Sequence, residues 1–207
     1  MLKGIGLFSQ MSKGFMKPIT PEDLMGVDWR SLLVLEVLFI ILIIICWFCT
    51  FNPPYLIYFF FVFLSIMWLF IELKYNWEDR KKVKKALKIA LFLMVFDFVV
   101  ENTGAYLGLW KVTGTVLQIG VVPIEVMLIA FFGGWAWALY LPKKYNKIHT
   151  FLDIVIFSVF GAVGEFLFVR HGFLVYLDGW TSTHAFIGYA ATWVILHLLN
   201  YQFLEVG

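Results

Sequence analysis

Three carboxylates, Asp97, Glu101 and Glu125, stand inside or at the ends of apolar runs in one stretch of the chain, and a fourth, Glu165, follows in a later run. An ionised carboxylate in hydrocarbon costs on the order of a few kcal/mol, so each of these groups must face protein, a water-filled cavity or another of its kind. A carboxylic acid that keeps its proton in apolar surroundings is a general acid, a second carboxylate stabilises positive charge, and aromatic faces add cation–π attraction. Such a ring of acids among aromatics suits protonating an alkene and holding the resulting cation. The plainer alternative is that the acids only join helices through hydrogen bonds.

The elements that must carry them follow from composition. The 207 residues are 62% hydrophobic, 20% aromatic and only 14% charged, with a mean hydropathy of +0.87. A soluble domain of this size has no core able to hide that much apolar surface. The expected fold is an all-α polytopic membrane bundle of about six spans, since each crossing takes about 20 residues. Residues 1–31 are expected as a cytoplasmic or interfacial segment and 32–207 as one transmembrane domain. In the first segment Lys3, Lys13 and Lys17 alternate with Leu2, Ile5, Phe8, Met11 and Phe15. It reads as a basic interfacial helix or a disordered tail, and not as a cleaved leader.

The spans are expected at about Leu32–Thr50, Pro54–Leu73, Ile89–Val100, Val116–Leu141, Phe151–Val169 and Ala185–Phe203. The first two form a hairpin through Asn52-Pro53-Pro54. Glu36 and Glu72 fall near one end of that hairpin, within reach of interfacial water, and are left out of the site. Cys46 and Cys49 mimic a CxxC but lie in a lipid-length run, where cysteine is an apolar filler. No phosphate loop, dinucleotide fingerprint, HExxH or GxSxG is present, and the histidines are scattered. The expectation is therefore no metal and no cofactor.

Charge sets the orientation. If both termini, the basic loop 74–88 and the loop 142–150 share one side, that side holds 14 Lys and Arg, against Lys111 and Arg170 on the other. The positive-inside rule makes it the cytoplasm of a multi-pass cell-membrane protein. The basic loop reads as a contact to anionic lipid; nucleic acid is not an expected partner. With a rise of about 1.5 Å per residue, Asp97 lies about 13 Å from the cytoplasmic edge, Glu101 about 20 Å, Glu165 about 21 Å and Glu125 about 25 Å. His184 opens the last span at the same outer level. Asp97 and Glu101 share a face at i, i+4, while Gly161 and Gly164 leave room for close helix approach or a ligand.

Pro123, just before Glu125, loosens the local hydrogen-bond ladder, and Asn102, Tyr106 and Trp110 are expected in the outer loop beside the acids. The segments ending in Glu101, Gly104, Tyr106, Gly108, Trp110 and in Glu165, Gly172, Tyr176, Gly179, Trp180 echo each other with unequal spacings, as a parallel repeat would.

Phe96-Asp97, Gly108-Leu109-Trp110 and Val122-Pro123-Ile124-Glu125 followed by Phe131-Phe132 resemble the membrane-embedded lycopene cyclase domain of the bacterial heterodimeric and fungal bifunctional type. Val100-Glu101-Asn102-Thr103-Gly104 is also similar to the related carotenoid hydratases. The resemblance covers about 35 residues. It implies a cofactor-independent isomerase or hydratase in which Glu125 is the proton donor or its partner and Asp97 the second acid. Asn102, Tyr106, Trp110, Pro123, Phe131 and His184 are the expected substrate contacts. The cyclase pattern has a second Glu where this chain has Val126, which leaves hydration open. Membrane lipid and a polyisoprenoid substrate are the expected partners, with a homo- or hetero-oligomer compatible. The competing classes are a small transporter using the same acids and a non-catalytic lipid-binding subunit.

Overall fold

In the computed structural model, residues 27, 29–48, 56–113 and 117–203 are described. The N-terminal segment up to residue 26, the Asn52-Pro53-Pro54 turn, Cys49 and the start of the fourth expected span at Val116 lie outside the described residues. Six helices are present among the described residues: α1 (Trp29–Phe48), α2 (Leu56–Asn76), α3 (Arg80–Tyr106), α4 (Ile124–Tyr140), α5 (Lys147–Arg170) and α6 (Ser182–Leu198), the last continuing as a wider π turn over Leu199–Phe203. Four short strands join them on one side: β1 (Trp110–Val112), β2 (Gln118–Ile119), β3 (Val122–Pro123) and β4 (Leu174–Tyr176). The all-α expectation is corrected to that extent.

Three helices are long and apolar enough to cross a membrane by length and composition: Leu56–Asn76, Lys147–Arg170 and Ser182–Tyr201. Large apolar side chains lie exposed along the helices, among them Leu33, Val37 and Ile44 on α1, Phe59, Phe63 and Phe70 on α2, and Phe151, Val155 and Val159 on α5. Lipid is the solvent that tolerates such a surface.

Several boundaries move. The basic run is not a loop: α3 begins at Arg80, because Asp79 caps it by accepting from the Lys82 amide at 3.0 Å. A run of Lys and Arg has good helix propensity, so the helix extends well beyond the apolar segment. Asp79 also pairs with Lys143 at 2.7 Å, tying this turn to the α4–α5 connection. That Lys143 contact, with the backbone bond from Lys82, holds the Asp79 carboxyl below its usual range. The same α3 helix runs on to Tyr106, so Asn102 and Tyr106 belong to its last turns and not to a loop. Pro123 does not loosen a helix; it precedes Ile124 as the N-cap of α4, a place where its missing N–H costs nothing. α1 packs against α5, through Phe39 on Phe157 and Phe160.

The bundle is built from the pairs α3–α4 and α5–α6, with α2 against α4. Its centre is Trp137, fully buried with Ile89, Leu139, Leu141, Phe157 and Leu196 around it. Gly134 lets α3 approach α4, since a Cβ there would come within 2.8 Å of Leu93.

α3 and α5 end alike. Gly108 (φ 74°) and Gly172 (φ 76°) adopt the left-handed conformation past each helix. The next amides turn back in the same way, Leu109 to the Gly104 carbonyl at 2.9 Å and Phe173 to the Phe168 carbonyl at 2.8 Å. Each turn leads into a strand, and the two strands pair antiparallel with Trp110 opposite Tyr176, Lys111 opposite Val175 and Val112 opposite Leu174. The flanking bonds, Thr113 N–H to the Phe173 carbonyl and Leu177 N–H to the Leu109 carbonyl, are both 2.8 Å. This pattern is two-fold symmetric about the Lys111–Val175 pair. Glu101 and Glu165 each stand seven residues before the turn glycine. The echo in the sequence is therefore equally spaced once it is aligned on the glycines and not on the aromatics.

Candidate functional site

The pseudo-two-fold arrangement brings the C-terminal halves of α3 and α5 to one place. Glu101 lies close enough to Asp97 and Glu165 to interact electrostatically with both. Tyr189 of α6 interacts with the same three acids, and Tyr58 of α2 with Glu101 and Glu125. Four helices thus deliver Asp97, Glu101, Glu165 and Tyr189 to one cluster and Tyr58 to its edge, with Glu125 reached through Tyr58 from the first turn of α4.

Glu101 is held: Trp110 Nε1 donates to its Oε2 at 2.9 Å. The indole reaches it by folding back over Gly104, where a Cβ would lie 2.0 Å from the ring. The glycine that continues the helix is thus also the floor under Trp110. Glu125 is 3% exposed with Oε2 unpartnered, and Asp97 Oδ2 is likewise buried without a partner. Unpaired carboxylate oxygens in a bundle interior mark a place where a ligand or a proton belongs.

The β1–β4 ribbon roofs the cluster. Trp110 and Trp180 pack at 4.8 Å between ring centroids. Tyr176, Tyr189 and Trp180 all face Glu165, although the Tyr176 hydroxyl and the Trp180 Nε1 close no hydrogen bond of good geometry. Burial pushes the Tyr176 phenol up to about 12, so it remains a neutral donor in the roof.

Below the roof an apolar groove opens between α1, α2 and α5, lined by Phe39, Leu42, Ile43, Phe61, Phe160, Gly164 and Leu167. Gly161 and Gly164 have different tasks. A Cβ at Gly161 would meet the Tyr189 ring at 2.5 Å, so this glycine serves close packing, whereas nothing lies within 4 Å of one at Gly164. The groove therefore remains open one residue from Glu165.

Other expected substrate contacts lie elsewhere. Tyr106 is 91% exposed. His184 is exposed and serves α6: its Nδ1 accepts from the Thr181 amide at 3.2 Å, and its ring stacks on Trp180 at 5.4 Å. Phe131 follows Glu125 by six residues, about 240° further round α4 at 3.6 residues per turn, and packs on Phe132 and Trp135. Asn102 is occupied in tying the β2–β3 hairpin, donating to the Phe98 carbonyl at 2.8 Å and accepting from the Val121 amide at 3.3 Å. Pro123 is buried at the head of α4.

Sequence reasoning passed over Tyr58, Tyr189 and a second polar cluster, Trp137, Asp153 and His197. Asp153 carried the same signal as the outer acids, an ionisable group inside an expected span; its distance from them in sequence hid it. Tyrosines in an aromatic-rich chain carry no signal. Among the described residues no three His, Cys, Asp or Glu are grouped to hold a metal ion. No known protein family, curated protein or solved structure matches the chain.

Proposed function

We propose that this chain is an integral membrane enzyme that protonates a double bond of a carotenoid or other polyisoprenoid, leading to ring closure or to capture of water. The observation that carries this reading is the acid cluster under an aromatic roof, with Gly164, the residue before Glu165, lining an apolar groove on the neighbouring face of α5. Glu125, whose Oε2 is unpartnered, delivers the proton. Glu101, fixed by Trp110, offsets the developing positive charge together with Asp97 and Glu165, and the faces of Trp110, Trp180 and Tyr58 add cation–π attraction. The long apolar chain of the substrate runs along the exposed apolar faces of the helices, and the groove, of about 50 Å³, takes only a short part of it. A methyl-branched polyene dissolved in the bilayer fits such a lining, and the chemistry asks for no cofactor.

The proposal includes six crossings of the cytoplasmic membrane with both termini and the 142–150 connection inside, as the distribution of Lys and Arg supports. In a background lacking Cys46 and Cys49, a single cysteine at Asn146 is expected to resist an impermeant thiol reagent in intact cells and one at Thr113 to react. Labelling at position 146 from outside overturns the orientation.

The activity is tested by expression in a bacterium engineered to accumulate lycopene or longer acyclic carotenoids, followed by separation of the pigments. A cyclic or hydroxylated product is expected; unchanged pigments with each substrate, from a folded and inserted protein, overturn the reading. Gly164→Leu then probes the groove. Nothing within 4 Å obstructs the new Cβ, so thermal stability is expected to hold while the side chain fills the groove beside Glu165 and turnover falls. Full turnover in that variant places the substrate elsewhere.

A further inference from the structure

The inner half of the bundle buries a second group of polar side chains that the outer chemistry does not use. Asp153 of α5 is 0% exposed and His197 of α6 is 2% exposed. Asp153 Oδ2 accepts from Trp137 Nε1 at 2.9 Å and meets His197 Nε2 at 2.8 Å, so α4, α5 and α6 converge on one carboxylate oxygen. An ionised carboxylate only accepts, so Nε2 carries the hydrogen and Nδ1 the lone pair. Neither that Nδ1 nor Asp153 Oδ1 has a partner. Two free acceptors in a water-excluded interior are a costly arrangement that a purely structural lock does not need.

Other ionisable groups stand on the elements around this pair. On α5 it is His149, whose ring leans on Tyr140 of α4 at 5.8 Å. Beyond α6, Tyr201 stacks on His197 at 6.0 Å and donates its hydroxyl hydrogen to the Pro142 carbonyl at 2.9 Å. From α3, Lys85 lies over the Tyr201 ring at 5.9 Å. The backbone directly after His197 widens into the π turn, a departure from α geometry that recurs at functional sites.

Asp153 and Glu165 are twelve residues apart on α5, about 18 Å along the axis. The successive levels of α5 and α6 alternate in character between them. Glu165 and Tyr189 interact at the outer level. Phe157 packs on Trp193 at 4.7 Å in the middle, with Trp137 on Trp193 at 5.0 Å. Asp153 meets His197 at the inner level. A constriction of apolar rings excludes the water chain along which protons move.

We propose that Asp153 and His197 form a second, proton-binding site in the inner half of the bundle, closed off from the outer acids by the plug Phe157, Trp193 and Trp137. The arriving proton forms an N–H bond at the His197 Nδ1 lone pair. It leaves by that nitrogen, or the Nε2 proton passes to Asp153 Oδ2; no other bond changes and no co-reactant is consumed. Two acceptors on facing helices suit a proton, and the described residues group no third His, Cys, Asp or Glu with them for a metal.

The test uses the full chain in liposomes loaded with a pH-sensitive dye, so it does not depend on any isoprenoid activity. After an external pH step, the wild-type protein is expected to leak little more than empty vesicles. Trp193→Ala is expected to raise proton flux several-fold, and Asp153→Asn with His197→Gln in the same chain to return it close to the wild-type rate. Trp193→Leu, which removes the indole ring but keeps an apolar side chain against Phe157 and Trp137, replaces Trp193→Ala if the latter does not fold. A flux that does not rise in a folded plug variant, or a rise that survives loss of the Asp–His pair, overturns the proposal.

Discussion

Glu125→Gln is expected to lower turnover on a confirmed polyisoprenoid substrate by about 10²–10⁴-fold, the contribution of a positioned general acid, while the protein folds and inserts normally. The amide keeps the shape and hydrogen-bonding capacity of the side chain, which is 3% exposed at the head of α4, but it has no proton acidic enough to give to carbon. Glu101→Gln separates donation from charge stabilisation. Its carbonyl oxygen still accepts from Trp110 Nε1, now 2.9 Å from the carboxyl group, so the roof remains in place and only the capacity to carry a negative charge is lost. A smaller rate loss than in Glu125→Gln, with unchanged melting temperature, is the expected result. Pigment analysis and thermal melting of the two purified variants decide it. A Glu125→Gln protein with normal turnover removes Glu125 from the chemistry, and with it the role that the cyclase resemblance implies.

His197→Leu is expected to destabilise the bundle by about 1.5–3 kcal/mol, because it leaves a buried carboxylate with one of its two hydrogen-bond partners gone. Asp153 would then keep only the Trp137 indole. Adding Asp153→Asn removes the stranded charge and leaves an amide oxygen for Trp137. The double variant is therefore expected to be more stable than His197→Leu alone. Heating the detergent-solubilised proteins and measuring the remaining monodisperse fraction gives the comparison, and a double-mutant cycle isolates the coupling. Additive losses show that the two groups act independently and that the 2.8 Å contact contributes nothing of its own.

The two sites differ in how far they were legible before the structure. An ionisable group inside a hydrocarbon-length run is readable from composition and position alone, because burying a charge is costly wherever the chain later folds. Asp97, Glu101, Glu125 and Glu165 were visible on that ground. The same rule covers Asp153, which lies between apolar turns of α5, but its partner is 44 residues away on α6. No local spacing announces a histidine that meets a carboxylate across a helix interface. Expected contacts such as His184 and Tyr106 were chosen by level along the membrane normal. Level fixes height and leaves rotation about the helix axis open, and that rotation carries Tyr106 to the surface and commits His184 to Thr181.

Boundaries failed for a related reason. Apolar runs mark where lipid touches a helix and not where its hydrogen bonds begin, so α3 starts at Arg80 in the basic segment and α4 only after Pro123. What the sequence by itself determined is a helical chain suited to membrane, with carboxyl groups too costly to face lipid, since hydropathy and the price of buried charge are properties of the residues. Only the tertiary structure decided that Glu101 and Glu165 come within electrostatic reach of each other, that Gly104 is the floor for Trp110 and Gly161 for Tyr189, and that Asp153 meets His197. Those facts depend on helix rotation and on the pairing of β1 with β4, which arise from contacts between residues distant in sequence.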